Sequence, residues 1–243
     1  MTRDTATAHQ RVPQSAPQTE QRVGTHDEAA DQVDRWLAIA PDGQVTVFSG
    51  KVELGTGIAT ALAQIVAAEL RVPLERIDVV MGDTVRTPDQ GYTAGSKTIQ
   101  LAGPILGRAA AAARAVLTER AATRFGVPVE RLVSGDGAVH PQGSEERAIT
   151  YGELIGEGFG RAFDPDGPVP PAVEGAVSVV GQSAPRVDLL GKLTGDASFV
   201  HDLRLSGMLH GRVVRPWRRT PAGIGATVAS VDESPVTGLR GLV

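Results

Sequence analysis

Two glycine-rich loops carry the residue types and spacing that could bind a charged ligand. The first loop runs from Ser49 to Gly57 and connects a strand-like run to an apolar helix. Glycines at positions 50, 55 and 57 let the backbone approach a ligand closely, and the free N–H groups at the helix start favour an anion. The pattern is typical of a cofactor loop, although such loops are also ordinary turns. Glu53 inside it could be catalytic or could cap the helix.

The second loop, Gly91 to Thr98, resembles the phosphate-binding loop of NTPases. Ser96 stands where that motif requires a glycine before Lys97, and the gap after the strand ending at Met81 is too long, so an NTPase is disfavoured. Small and hydroxyl-bearing side chains nevertheless lie at the start of a helix, where they can hold a phosphate. A plain N-cap by Ser96 or Thr93 is the alternative.

The first loop also contains part of a dinucleotide-binding fingerprint. Gly55 and Gly57 have the required spacing, and Asp78 or Asp83 could bind a ribose. Thr60, however, occupies the position of the third glycine, where close packing of strand and helix leaves no room for a side chain. The loop is also too long after its strand. A nicotinamide or flavin site is therefore disfavoured.

Composition excludes several further classes of function. The 243 residues carry a net charge of -4, which gives no electrostatic case for nucleic acid or an anionic membrane as partner. The sequence has no cysteine, which excludes disulfides, thiolate zinc sites and a cysteine-ligated iron–sulfur cluster in this chain. No pair of histidines has metal-ligand spacing, and no apolar run approaches the roughly 20 residues of a membrane span. Without a signal-peptide core, a cytoplasmic location is expected.

Hydrophobic periodicity predicts an α+β fold that positions both loops. The predicted elements are a hairpin over 36–48, a helix over 57–70, a strand over 77–81, a helix from about Ser96 to Phe125, a hairpin over 132–140 and a short helix capped by Thr150. Pro104 lies inside the second helix and predicts a kink or a break there.

Composition also predicts the domain organisation. Residues 1–34 are expected to form a disordered tail, because they contain hardly any large apolar side chains. A first domain follows over 35–156, and a glycine- and proline-rich linker over 157–176. A second, interrupted unit is expected over 177–243, with strands at 199–200, 208–214 and 227–231.

An ordered set of motifs resembles the molybdenum-cofactor-binding region of the xanthine dehydrogenase and aldehyde oxidase family. These motifs are Lys51–Gly57, Met81–Thr84 and Tyr92–Ser96. A second set resembles the start of that family's α/β hammerhead domain, namely Pro185–Asp188, Gly191–Gly195, His201–Leu203, Gly207–His210 and Val231–Asp232. Their order is similar to that in large subunits of the isoquinoline oxidoreductase and nicotinate dehydrogenase type. The resemblance covers the chain from about residue 35 onward.

The resemblance implies a partial cofactor-binding domain followed by an incomplete hammerhead domain. The implied cofactor is a molybdenum pyranopterin (molybdopterin), with its cytosine dinucleotide form as an option. The residues that would hold it are Gly55, Thr56, Gly57, Thr93, Ala94, Gly95, Ser96, Lys97 and Thr98. Ser96 and Thr98 match the phosphate donors, which favours a phosphate site over the plain N-cap. Thr56 replaces the glutamine usual in the family and loses its longer reach.

The resemblance also implies an activity that this sequence cannot perform alone. Family large subunits continue with a Phe-Gly-Gly cofactor loop and a C-terminal glutamate that acts as general base, and neither is found here. The expected function is the molybdopterin-binding portion of a hydroxylase or dehydrogenase for N-heteroaromatic or aldehyde substrates. It would need a 2Fe–2S small subunit and a chain that supplies the rest of the large subunit. A non-catalytic scaffold, a decayed fragment and an unrelated nucleotide-binding enzyme are the alternatives.

Overall fold

The computed structural model describes residues 32–168, 179–197, 199–214, 230–239 and 241. The described residues form two compact units, one up to Ala197 and one after it. Most of the predicted disordered tail, residues 1–31, lies outside the described residues, as does the second part of the predicted linker. Val33 is already fully buried, so the packed chain begins slightly before Arg35.

A three-stranded sheet carries both glycine-rich loops. Its strands are β1 (Leu37–Ile39), β2 (Val45–Ser49) and β3 (Ile77–Met81), in that spatial order. β1 and β2 form the predicted antiparallel hairpin, whereas β2 and β3 are parallel. Helix α1 (Ile58–Leu70) makes the crossover that a parallel pair requires. The first loop follows β2 and the second follows β3, so both leave the sheet at the same edge.

The core of this unit forms where α1 packs against the long helix α2 (Thr98–Phe125). Many of its fully buried residues are alanines, including Ala63 on α1 and Ala110 and Ala113 on α2. Small side chains let the two helix backbones approach closely. At Gly103 a methyl group would lie 3.0 Å from the Cδ1 atom of Ile65, so the contact there is already tight. Among the described helices, none is both long and apolar enough to cross a bilayer.

Helix α2 differs from the prediction at two points. It begins at Thr98, two residues later than expected, and it continues through Pro104, so of the predicted kink or break the break is not found. Proline fits the helical φ angle and removes a single N–H donor to the previous turn. The buried alanines that follow Pro104 pack against α1, and this tertiary packing keeps the helix continuous.

A second small sheet and a capped helix also belong to the first unit. The sheet contains β4 (Leu132–Gly135), β5 (Ala138–Pro141) and β6 (Ile149–Thr150), which pair antiparallel. Helix α3 (Tyr151–Leu154) begins at Thr150 with a complete capping box formed with Glu153, as predicted. The buried Tyr151 hydroxyl donates to the carbonyl of Leu70 over 2.7 Å, and so ties this region to the end of α1.

The region after residue 178 departs most from the predicted strands. Its described residues include α4 (Leu189–Thr194) and the 3-10 turn Val200–Asp202, which stands in place of the strand expected at 199–200. Residues 208–214 form no strand, and of the third predicted strand, 227–229 lie outside the described residues. The apolar side chains at Val213 and Val214 are exposed. A strand without a partner is unstable in water, which accounts for the difference.

Candidate functional site

The two loops are joined side by side through Lys51. The side chain of this lysine is buried, and its ammonium group donates to the carbonyl of Gln90 and, over 2.8 Å, to that of Tyr92. Both acceptors belong to the loop after β3. A charged donor makes stronger hydrogen bonds than a neutral one, especially where water is excluded. Lys51 therefore holds the second loop against the first.

Gln90, which directly precedes the second loop, makes the reciprocal contacts. Its side-chain oxygen accepts hydrogen bonds from the Ser49 hydroxyl over 2.8 Å and from the Gly50 N–H over 2.9 Å. The two backbones come so close that a methyl group on Gly50 would lie 2.0 Å from the carbonyl oxygen of Pro88. Position 50 requires glycine because of this close approach, and not because of an unusual φ angle.

Thr93 forms the third link between the loops. Its hydroxyl oxygen accepts a hydrogen bond from the Val52 N–H over 2.9 Å. The sequence leaves open whether Thr93 or Ser96 caps α2, and neither does so. The N-cap residue of α2 is Lys97, with no side-chain cap bond. Thr93 is engaged by the first loop, and Ser96 has a left-handed φ of 55°, which is not the extended conformation of a capping residue.

Glu53 fills the anion-binding position of the first loop from within the chain. Its carboxylate accepts from the N–H groups of Gly57 and Ala59, each over 3.1 Å. Partial burial acts to raise the pKa of Glu53, but hydrogen bonds from four backbone N–H groups of the loop and helix together hold it below its usual value. Glu53 therefore caps α1, and the N–H groups of Gly57 and Ala59 are occupied by a protein carboxylate.

Replacing Glu53 by glutamine is expected to reduce the free energy of unfolding by about 1 kcal/mol at neutral pH, as for loss of a charged helix cap. Because the folded-state pKa is depressed, this stabilisation is complete above the unfolded pKa and is lost as the pH falls through the folded pKa. The difference between wild type and Glu53→Gln should therefore shrink below about pH 4.5. Urea unfolding at several pH values measures it. A difference that is constant down to pH 3 would contradict the capping role.

The second loop, in contrast, presents an uncapped helix start. Ala94, Gly95, Ser96 and Lys97 are exposed, while Thr98, the first residue of α2, is buried. Gly95 and Ser96 both have left-handed φ angles, which turn the chain sharply into the helix. Ser96 directly precedes Lys97, the N-cap residue of this 28-residue helix, and its hydroxyl-bearing side chain is exposed. This donor set fits a phosphate.

Thr56 and Thr60 have different environments in the first loop. Thr56 lies exposed between Gly55 and Gly57, which have left-handed φ angles of 91° and 79°. Thr60 is buried on α1, and its hydroxyl accepts from the Val187 N–H over 3.0 Å. Thr60, whose side chain is inconsistent with a dinucleotide fingerprint, thus forms a structural contact with the segment before α4.

A shallow cavity of about 380 Å³ opens beside the first loop. Its lining residues come from the first loop, α1, β3 and the segment before α4, and are Glu53, Ala59, Ile77, Asp78, Val79, Met81, Val187 and Asp188. In the described part of the chain, no three His, Asp or Glu side chains are grouped so as to hold a metal ion.

The site contains three residues to which the sequence assigns no role of their own. Lys51 lies inside the first loop motif, but its sequence context does not reveal that its side chain is buried. Gln90 carries no sequence signal, because its function depends on two loops meeting in space. Arg186, whose guanidinium donates to the carbonyl of Gly55 over 3.0 Å, stands out in the sequence only as part of a hammerhead-like motif.

The family described as molybdopterin cofactor-binding domain matches residues 15–182, which is more than half of the chain. The chain belongs to this molybdopterin-binding family. The resemblance seen in its loop motifs is confirmed by this match. The matched range includes all nine residues predicted to hold the cofactor, although it does not test their individual contacts.

Several known proteins are similar to this family member. A nicotinate dehydrogenase subunit of Pseudomonas putida is 43% identical over 212 residues, which cover 86% of this chain and 18% of the relative. Isoquinoline 1-oxidoreductase subunit beta of Brevundimonas diminuta is 32% identical, over 83% of this chain and 30% of the relative. A solved CO dehydrogenase from Oligotropha carboxidovorans is 30% identical over 49% of this chain and 15% of its own, with a TM-score of 0.45. The chain spans less than a third of each of these proteins.

Proposed function

We propose that this chain is the molybdopterin-binding portion of a molybdenum-dependent hydroxylase or dehydrogenase that acts on N-heteroaromatic or aldehyde substrates. The observation that carries the proposal is the second loop, where an exposed serine and an uncapped helix start are held against the first loop. The relatives named above include subunits of nicotinate and isoquinoline oxidoreductases. When bound, the molybdenum pyranopterin supplies the redox centre of such a reaction.

In this proposal, the second loop binds the phosphate of the cofactor and the first loop contacts the pterin. Ser96, Gly95 and the first-turn N–H groups of α2 would hold the phosphate, because these donors are exposed and the helix has no side-chain cap. Thr56 would contact the pterin through its exposed hydroxyl. The N–H groups that Glu53 occupies position the first loop and do not bind the phosphate. Thr93 joins the loops, so its proposed contribution is indirect.

Activity is proposed to require further chains. A chain that supplies the rest of the large subunit would bring the general-base glutamate, and a 2Fe–2S small subunit would carry the electrons away. We also propose that residues 177–243 begin a hammerhead domain whose strands form when that remainder pairs with them. The cytosine dinucleotide form of the cofactor and a cytoplasmic location stay predictions. A non-catalytic scaffold on the same fold is the alternative, and the absence of molybdenum from the native complex would favour it.

The test is a native pull-down of the chain at its own expression level, with molybdenum analysis and identification of the captured proteins. Near-stoichiometric molybdenum, together with an iron–sulfur chain and a glutamate-bearing chain, is the expected result. A complex that contains these partners but no molybdenum would exclude the cofactor-binding role. Capture of no partner and no metal would overturn the whole proposal.

Replacing Gln100 by glutamate is expected to change stability and cofactor content in opposite directions. Gln100 is exposed in the first turn of α2, where a carboxylate interacts favourably with the helix dipole by about 0.3–1 kcal/mol. The same charge would repel a bound phosphate, so the molybdenum content of the native complex should fall about tenfold. Thermal unfolding of the purified chain and metal analysis of the complex measure the two effects.

Two further variants control this experiment. Ser96→Gly removes the hydroxyl while retaining a residue suited to the left-handed φ, so it should lower molybdenum content without lowering stability. Gln182→Glu adds the same charge at an exposed position outside α2 and should change neither quantity. Equal molybdenum content in Gln100→Glu, Ser96→Gly and wild type would exclude the phosphate site proposed at this helix.

A further inference from the structure

The segment that follows residue 178 reaches back to the first loop. Within the first compact unit, the Val187 N–H donates to the Thr60 hydroxyl on α1, and the neighbouring Arg186 extends over the loop itself. Sequence motifs assign this segment to a separate domain. Its contacts place it beside the residues proposed to approach the cofactor.

The guanidinium of Arg186 covers the glycine turn at two points. One terminal nitrogen donates to the carbonyl of Gly55 over 3.0 Å. The guanidinium also lies 3.5–3.7 Å from the point that a methyl group on Gly57 would occupy, which is ordinary van der Waals contact. The planar group therefore lies beside one residue of the turn while it hydrogen-bonds another.

Asp188 fixes the orientation of that guanidinium. Its two carboxylate oxygens accept from Nε and from the second terminal nitrogen of Arg186, over 3.0 and 2.8 Å. Lys192, one turn along α4, forms an ion pair with the same carboxylate. Hydrogen bonds from Arg186 and Lys192 hold the pKa of Asp188 well below its ordinary range, so this carboxylate stays charged. Such a two-point arginine–carboxylate pair restricts orientation far more than a single contact does.

The glycine turn is thus held from two sides by opposite charges. The Glu53 carboxylate accepts from its N–H groups, and the Arg186 guanidinium donates to its carbonyl. Gly55 and Gly57 both have left-handed φ angles, and glycine is the residue with the greatest backbone freedom when unfixed. Two opposed contacts therefore define one conformation for a turn that would otherwise sample several.

We propose that Arg186 is a positioning residue for the cofactor loop, and that it acts through Gly55 and Gly57 without touching the cofactor. This inference rests on the proposed function for its biological meaning. Its physical content, that Arg186 orders the turn, stands on the contacts alone. Lysine cannot replace it, because an ammonium group cannot bind the carboxylate at two points and the Gly55 carbonyl in one plane.

The test is hydrogen–deuterium exchange on the complete chain and its variants, combined with molybdenum analysis of the native complex. In Arg186→Gln and Arg186→Lys, exchange of the amides between residues 53 and 59 should rise at least fivefold. Exchange in α2 and in the β4–β5 hairpin should stay unchanged. Molybdenum content should fall several-fold in both variants at a temperature well below unfolding, which a purely structural change elsewhere would not cause.

Two controls make the result decisive. Arg161→Gln removes an arginine that pairs with Glu119 on an exposed surface, and it should leave both readouts unchanged. Asp188→Asn keeps Arg186 but removes the charge that orients it, so it should give a smaller rise in exchange. It serves as the test variant if Arg186→Gln does not fold. Wild-type exchange at 53–59 in the folded variants would overturn the proposal, even if molybdenum were lost. Absence of molybdenum from the wild-type complex would defeat the proposed function and leave the exchange test of Arg186 intact.

Discussion

Replacing Gly50 by alanine is expected to reduce the free energy of unfolding by about 3 kcal/mol or more, which is the upper range for a buried steric clash. The added methyl group would lie 2.0 Å from the Pro88 carbonyl oxygen and 3.1 Å from the Gln90 nitrogen. Both contacts are with backbone, so no side chain can rotate away to relieve them. The segment that leads into the second loop must move, and the hydrogen bonds to the Gln90 side chain would be lost with it.

Denaturant unfolding of the purified chain measures this loss, and Gly135→Ala is the matched control. Gly135 lies in strand β4, and a methyl group there would have no neighbour within 4 Å. The control should change stability by less than about 0.5 kcal/mol. If the two alanine variants were equally stable, the close approach of the two loops would be wrong. Gly50→Ala should also lose bound molybdenum in the native complex, because the second loop carries the proposed phosphate donors.

The elements that the sequence predicts correctly are those fixed by local patterns. The Asp42–Gly43 turn sets the first hairpin, and apolar spacing sets α1 and β3. The capping box at Thr150 needs only residues within one helical turn, and it is present as predicted. Each of these signals lies within a few residues, so no knowledge of the tertiary structure is required to recognise it.

The incorrect predictions concern features that depend on distant neighbours. Pro104 does not break α2, because packing against α1 outweighs the loss of one hydrogen bond. The strand predicted at 208–214 has suitable apolar residues but no partner in the described chain. Apolar periodicity indicates which secondary structure a segment prefers when a partner strand is present. It cannot show that such a strand exists.

The sequence predicts which loops form the candidate site, but it does not predict how these loops contact each other. The glycines and hydroxyl residues are recognisable from their spacing before helices. Helix capping by Glu53 is one of the two roles that the sequence leaves open, because its partners lie within six residues. The role of Gln90 is not predictable, because it depends on which groups the fold brings near. The two loops meet since β2 and β3 are parallel neighbours, and that pairing follows from the α1 crossover. The sequence thus predicts which residue types would approach a ligand, while the strand pairing determines that the two loops meet.

Replacing Lys51 by methionine is expected to cost about 3 kcal/mol of unfolding free energy and to release the second loop. Methionine has a similar length and apolar volume, so it fills the space but cannot donate. The carbonyls of Gln90 and Tyr92 would lose their charged donor in a site where Lys51 itself is 2% exposed. Each hydrogen bond to a charged group contributes about 1.5–3 kcal/mol.

Lys97→Met is the control, because Lys97 is exposed at the start of α2 and should tolerate the change with little effect on stability. Lys51→Arg tests the geometry, since a guanidinium is too large for the closely packed site and should not restore wild-type stability. Hydrogen exchange of residues 88–93 should rise in Lys51→Met more than exchange in the β4–β5 hairpin. Uniform destabilisation without this local rise would mean that Lys51 supports the core and does not join the loops. A selective rise would show that one buried ammonium group holds the proposed phosphate-binding loop beside the glycine turn.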